Sequence, residues 1–181
     1  MKRSWFLAFG CLFLVVTAIT TIVVCRREPK PVVVDEAFRM EVEAEIREVL
    51  SEYTEALRLR DVERIADLIV YPFDMGAGYQ ISAWKGFVSR MSHDFRKYVV
   101  QVDQLSHEIV AMDVQPDIVV ASVSEKGHYV GDYREKIALD SELEMTFRPV
   151  DGGWKIAGID SDSWVSLTFR RRADSGRVYG W

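Results

Sequence analysis

Near the C-terminal end of the chain, Asp160 and Asp162 stand at alternate positions with Trp154 and Ile156. Alternate residues of a strand share one pleat face, so if the tryptophan points inward both carboxylates follow it. A carboxylate held in an apolar interior is desolvated, which suits it to take a proton as a general base. The other reading is that the strand bulges or ends by Gly158 and leaves both acids hydrated at a rim. His107 alternates with Leu105 and Ile109, an arrangement that points a lone imidazole towards an apolar face as either a core residue or an oxyanion partner. The three histidines, His93, His107 and His128, have neither an i, i+4 spacing nor cysteines beside them, so no metal site is expected. Trp84, Phe87, Met91 and Phe95 recur at helical spacing and either line a ligand mouth or form plain core. No glycine-rich phosphate loop, Gly-x-Ser-x-Gly elbow or Cys-x-x-Cys pair occurs, and no cofactor is expected.

The elements that must position these groups follow from periodicity. From Asp35, a plausible N-cap, residues Phe38, Val42, Ile46, Val49, Leu50, Tyr53 and Leu57 recur at threes and fours, one continuous apolar stripe of a long helix with an acidic opposite face. After a break at Leu59 and Arg60, Asp61 caps a short second helix through Ile65, Ala66 and Leu68, which must end by Tyr71 because Pro72 follows. Gly76 and Gly78 mark a loop or hairpin, and Ser82 is positioned to cap a third helix through Phe87, Met91 and Phe95. The period then changes to that of strands over residues 99–114, 118–130, 137–149 and 154–164. Turn signals separate them at Gln115-Pro116-Asp117, Gly131-Asp132 and Asp151-Gly152-Gly153. Helices followed by a run of strands joined by tight turns predict an α+β domain, one curved antiparallel sheet packed on N-terminal helices.

Ahead of that domain, residues 5–24 contain no charge and, as a helix, would reach about 30 Å, the thickness of a bilayer core. The run is longer than the apolar stretch of a cleavable signal peptide and continues to Arg26 and Arg27, so it reads as one transmembrane anchor. The expected organisation is an anchor over residues 1–27, a Pro-containing linker over 28–35, the domain over 36–168 and a basic tail over 169–181. Basic residues flank the span almost equally, but the four-residue leader favours a cytoplasmic N-terminus. The expectation is a single-pass protein of a bacterial inner membrane with its domain outside the cytoplasm. Cys11 and Cys25 belong to the span and its edge, so the domain has no disulfide. The whole chain carries 23 Lys and Arg against 28 Asp and Glu, and an acidic body argues against a nucleic-acid grip.

Three stretches resemble a known superfamily. IREVLSEYTEALRLRDVERIADLIVY looks like the opening of a nuclear transport factor 2-like domain, the cone-shaped fold shared with SnoaL-like cyclases and ketosteroid isomerase. LSHEIVAMDVQPDIVVASVSEKGHY looks like its paired middle strands, and FRPVDGGWKIAGIDSDSW like its final hairpin. The resemblance spans roughly residues 36–165. It implies a helix-lined pocket closed by a curved sheet, and dimerisation through the sheet's outer face, but not a reaction. It also implies that Tyr53 sits where ketosteroid isomerase-like members place a phenolic donor, and Asp74 where they have a proton-abstracting acid. In Tyr71-Pro72-Phe73-Asp74-Met75-Gly76, however, the family's strand context around that acid is missing.

Two functions are consistent with these residues. One is a membrane-tethered, non-catalytic domain that binds a small apolar ligand or an envelope protein. The other is a cofactor-independent isomerase, dehydratase or cyclase in which a buried aspartate moves a proton while Tyr53 or His107 stabilises the oxyanion.

Overall fold

A computed structural model describes residues 34–76 and 80–161. The expected anchor, most of the linker, Gly78, Asp162 and the basic tail lie outside them. Among the described residues no helix is long and apolar enough to cross a membrane.

Helix α1, Glu36–Leu59, buries Val42, Ile46, Leu50, Tyr53 and Leu57 of the stripe read from the spacing, and Ala56 besides, while Phe38 and Val49 are half-buried. Asp35 occupies its N-cap position without a side-chain cap bond. The helix ends at Arg60, whose left-handed φ of 57° turns the chain. That conformation is uncommon for a residue with a Cβ. Here the guanidinium ties it down by donating to the carbonyls of Val100 at 2.6 Å and Phe95 at 2.9 Å. Helix α2, Val62–Asp67, is capped as expected: the Asp61 carboxylate accepts from the Arg64 N–H at 3.1 Å.

The next segment differs from the expectation. Ile69–Asp74 is strand β1, which pairs with the short β2, Gln80–Ile81, and Asp74 is its last residue, so the strand context missing from the sequence pattern is present. Pro72 hid it, because a proline is tolerated only where the ladder does not need its N–H. Helix α3, Trp84–Tyr98, starts from Ala83 rather than Ser82 and has no side-chain cap.

Strands β3, Gln101–Val114, β4, Val119–Val130, β5, Lys136–Val150, and β6, Gly153–Ser161, form an antiparallel meander. The sheet order is β2-β1-β6-β5-β4-β3, and β1 runs parallel to β6. The sheet is therefore mixed rather than antiparallel throughout. The parallel pair joins residues about 85 positions apart in sequence, a contact no local pattern encodes.

Curvature comes from bulges. Gln104 adopts φ 51° where the β3–β4 register shifts, and Gly127 sits opposite, where an added Cβ would lie 2.8 Å from the Leu105 Cα. Only glycine fits there, and the local kink bends β3 over α1. At the last hairpin Asp151 and Gly152 have φ 52° and 85°. Positive φ at both central positions is the two-residue turn whose twist matches a hairpin. It sets the register that buries Trp154 and Ile156, as the sequence led us to expect.

Candidate functional site

The interior of the cone is occupied by its own side chains. Tyr53, Phe73, Phe87, Phe147, Met145, Ile156 and Ile159 are all buried within one apolar cluster. Phe87 stands edge-on to Phe73 with ring centroids 5.7 Å apart and to Tyr71 at 6.3 Å. A cavity beside them, lined by Met75, Ile81, Phe87, Arg90, Met91 and Asp94, measures only about 10 Å³, room for one water at most. Phe87, Met91 and Phe95 are therefore core packing, and Trp84, 36% exposed, hydrogen-bonds the Asp67 carboxylate from its indole N–H at 2.9 Å. Burial, with the neighbouring Asp67 charge, pushes the Tyr71 phenol above its ordinary range, and its hydroxyl donates to the Ala66 carbonyl at 3.3 Å. Burial likewise raises the Asp94 carboxyl, against the opposing charges of Arg90, His93 and Lys97.

Asp160 does not point inward. Thr146 pairs with Gly158 but Phe147 with Ile156, so Ala157 is an extra residue, a bulge that inverts the parity assumed from Trp154. Ile159 takes the buried position and Asp160 is exposed. Its carboxylate packs against Gly76 and accepts from the Ser161 N–H at 2.8 Å. Asp74 is exposed beside it and accepts from the Gly76 N–H at 2.9 Å. The two acids share a hydrated rim where β1 meets β6, far from the roles of buried bases.

A different carboxylate is buried. Glu125 on β4 is 0% exposed, and the sheet register sets it directly between His107 on β3 and Ser141 on β5. His107 Nε2 lies 3.1 Å from Glu125 Oε2, both side chains 0% exposed, and the Ser141 hydroxyl donates to Oε1 at 3.2 Å. Above this row α1 contributes Tyr53, whose ring centroid is 5.7 Å from the His107 ring, and Thr54, whose Oγ1 is 2.9 Å from His107 Nδ1. The Thr54 hydroxyl donates to the Leu50 carbonyl at 2.6 Å, so its lone pairs are left to accept from Nδ1–H. With Nδ1 protonated, the contact between Nε2 and Glu125 needs exactly one more proton to be attractive, on either partner. Every polar atom of the row then has a partner, as burial requires.

Tyr53 and His107, expected as alternative partners of a buried aspartate, lie beside each other, whereas Asp74 and Asp160 are exposed at the rim. Glu125 was missed, although a signal existed: it shares strand parity with Val119, Ala121 and Val123, one acid in an otherwise apolar stripe. No group of three His, Cys, Asp or Glu converges on a metal position among the described residues.

Between α1 and β3, an open groove of about 510 Å³ is lined by Arg47, Leu50, Ser51, Thr54, Glu55 and Arg58 on the helix and by residues 105–109, His107 and Glu108 among them, on the strand.

No family model matches the sequence, and no curated protein is similar to it. Solved structures do match. A scytalone dehydratase-like protein of Novosphingobium aromaticivorans superposes with a TM-score of 0.59 at 13% identity, over 68% of this chain and 84% of that one. A dehydratase-like member of the NTF2-like family from Streptomyces avermitilis gives 0.56 at 13% identity, over 67% and 95%. A cystatin-like domain from Nostoc punctiforme gives 0.55 at 17% identity, over 70% and 80%. Likeness at this level of identity is a statement about architecture: the described domain has the nuclear transport factor 2-like, cystatin-like fold.

Proposed function

We propose that this protein is a non-catalytic binding and assembly module, tethered to a membrane by residues 5–24, that engages its partner in the groove between α1 and β3 rather than inside the cone. The filled interior carries this reading, since the space beside Phe87 holds at most one water whereas the groove offers about 510 Å³. The tether rests on the uncharged run and its flanking arginines, and the same reading puts the domain outside the cytoplasm of a bacterial inner membrane. The resemblance implied dimerisation through the outer sheet face. That face carries Lys126, Lys136, Arg148 and Lys155 as well as Glu108, Asp140, Glu142, Glu144 and Asp160, so its charge neither favours nor opposes a second copy.

Two measurements test this. A photo-crosslinking residue at Arg58 in native membranes should form adducts that the same residue at Tyr133 does not, and the protein should stay in the pellet on alkaline carbonate extraction. Equal labelling at both positions would remove the groove from the reading. Recovery in the supernatant with a mature N-terminus near residue 20 would remove the anchor.

One observation favours a second reading: the Glu125–His107 pair beside Tyr53 is a proton-transfer constellation inside the cone. Dehydratase is the activity named for two of the structural neighbours. A cofactor-independent isomerase, dehydratase or cyclase would use the pair as base and Tyr53 as oxyanion donor, with substrate approaching from the groove that Thr54 and His107 line. Deuterium uptake at the α-carbon of cyclic enones in D₂O separates the two. Uptake no faster than in buffer is expected, and faster uptake that Tyr53→Phe abolishes at unchanged melting temperature would replace the first reading with the second.

A further inference from the structure

Among the described residues β3 pairs with β4 on one side and stands at the edge of the sheet on the other. In an antiparallel strand each residue turns its N–H and C=O to the same side, so every second residue offers both to the free edge. Proteins blunt such edges with bulges. β3 has two, one between Asp103 and Ser106 and one between Ile109 and Ala111. Between the two lies a regular window, residues 106–109, paired one for one with Lys126, Glu125, Ser124 and Val123. The groove follows the same window, with residues 105–109 forming one wall and α1 the other. Its floor includes Leu50, Leu105 and Ile109. Arg58 is held by Glu55 at 3.4 Å, whereas Arg47 is exposed and has no carboxylate within ion-pairing distance among the described residues.

We propose that this edge binds an extended segment of a partner protein as a seventh strand, its alternate apolar side chains seated on Leu50, Leu105 and Ile109 and an acidic side chain paired with Arg47. The proposal rests on the assembly reading and names the partner's chemistry. Backbone hydrogen bonds to residues 106–109 supply affinity that any extended chain could use. The apolar lining and Arg47 set which chain does. Within the window His107 is held from the inner side by Thr54 and Glu125.

The test uses the full chain in lipid nanodiscs and a blocked octapeptide of alternating valine and threonine with one central glutamate. Two twins accompany it, one N-methylated on two adjacent central amides and one with glutamine for glutamate. Saturable binding is expected, with slowed amide hydrogen exchange in the segment Gln101–Val114. The N-methylated twin should bind about tenfold more weakly, since it loses backbone donors. Arg47→Glu should weaken the glutamate peptide several-fold and leave the glutamine twin unaffected. No saturation up to millimolar peptide, or equal affinity of the N-methylated twin, overturns strand addition. Protection of the segment before peptide is added, together with a dimer mass, assigns the edge to a second copy of this chain instead. The deuterium-uptake assay is independent of all these outcomes, so failure of the peptide to bind and failure of the non-catalytic reading are told apart.

Discussion

Where β1 and β6 meet α3, the concave face of the sheet is apolar, and Phe73, Phe87, Phe147, Ile156 and Ile159 close the space against each other. Where α1 lies against β3, the same face carries His107, Glu125 and Ser141, with Thr54 on the helix above them, each held by a named partner and with an open groove beside them. The first region is stabilised by area removed from water and by close packing, which are non-directional and tolerate no void. The second depends on direction, because a buried histidine and carboxylate are costly unless every hydrogen bond is made. A cone can therefore lose its cavity at one end and still keep a polar row at the other, and the presence of such a row does not by itself announce catalysis.

The contrast is broken most severely at the apolar end. Phe147→Ala should cost about 3–5 kcal/mol, since its 0% exposed ring leaves a void that the surrounding strands cannot collapse into. Chemical denaturation of the full chain in detergent measures it, and a cost below about 1 kcal/mol would mean that the interior is loosely packed and open to ligands.

At the polar end, Glu125→Ala should cost about 3 kcal/mol, because it leaves the His107 ring buried without its partner. The double variant with His107→Ala should cost less than the sum of the two singles, a coupling of about 1–3 kcal/mol in a double-mutant cycle. Additive costs would show that the two side chains do not act as one unit. Ser141→Ala, which removes a single donor to the same carboxylate, should cost about 1 kcal/mol.

The rim sharpens the comparison by its insensitivity. Asp74→Asn or Asp160→Asn replaces an exposed acid, and stability should change by no more than about 0.5 kcal/mol. A change of several kcal/mol at either site would place that carboxylate inside the fold.

The smallest expected effect is at Asp94. Burial raises its carboxyl above the ordinary 3.8, so between that value and the raised one the folded state binds more protons than the unfolded state. Stability attributable to this group therefore falls as pH rises through that window and does not return at higher pH. Asp94→Asn should flatten this fall, and a slope of stability against pH unchanged by the substitution would show that the group is as well hydrated folded as unfolded. Its side chain is 39% exposed, and solvent screening keeps the effect small.

Local chemistry made much of this molecule readable in advance. The stripe of α1, the Asp61 cap and the Asp151-Gly152 turn each depend on residues within a few positions of one another, and each stands where spacing and turn chemistry put it. The turn also set the register of its own hairpin, which is why Trp154 and Ile156 were legible as core. Three features were decided only by tertiary structure. β1 forms because residues 69–74 find β6 alongside them, a pairing that no periodicity around Pro72 reveals. One extra residue at Ala157 turns Asp160 from the inner face to the outer, since a period of two reverses with every single insertion. Glu125 acquires its meaning from His107 and Ser141, which come from different strands and meet it only through register. Sequence determined the helices, the turns and the alternation along each strand because those follow from the chain's own geometry. The facing of side chains across strands, and hence which acid is buried, was left to a register that depends on the whole sheet at once.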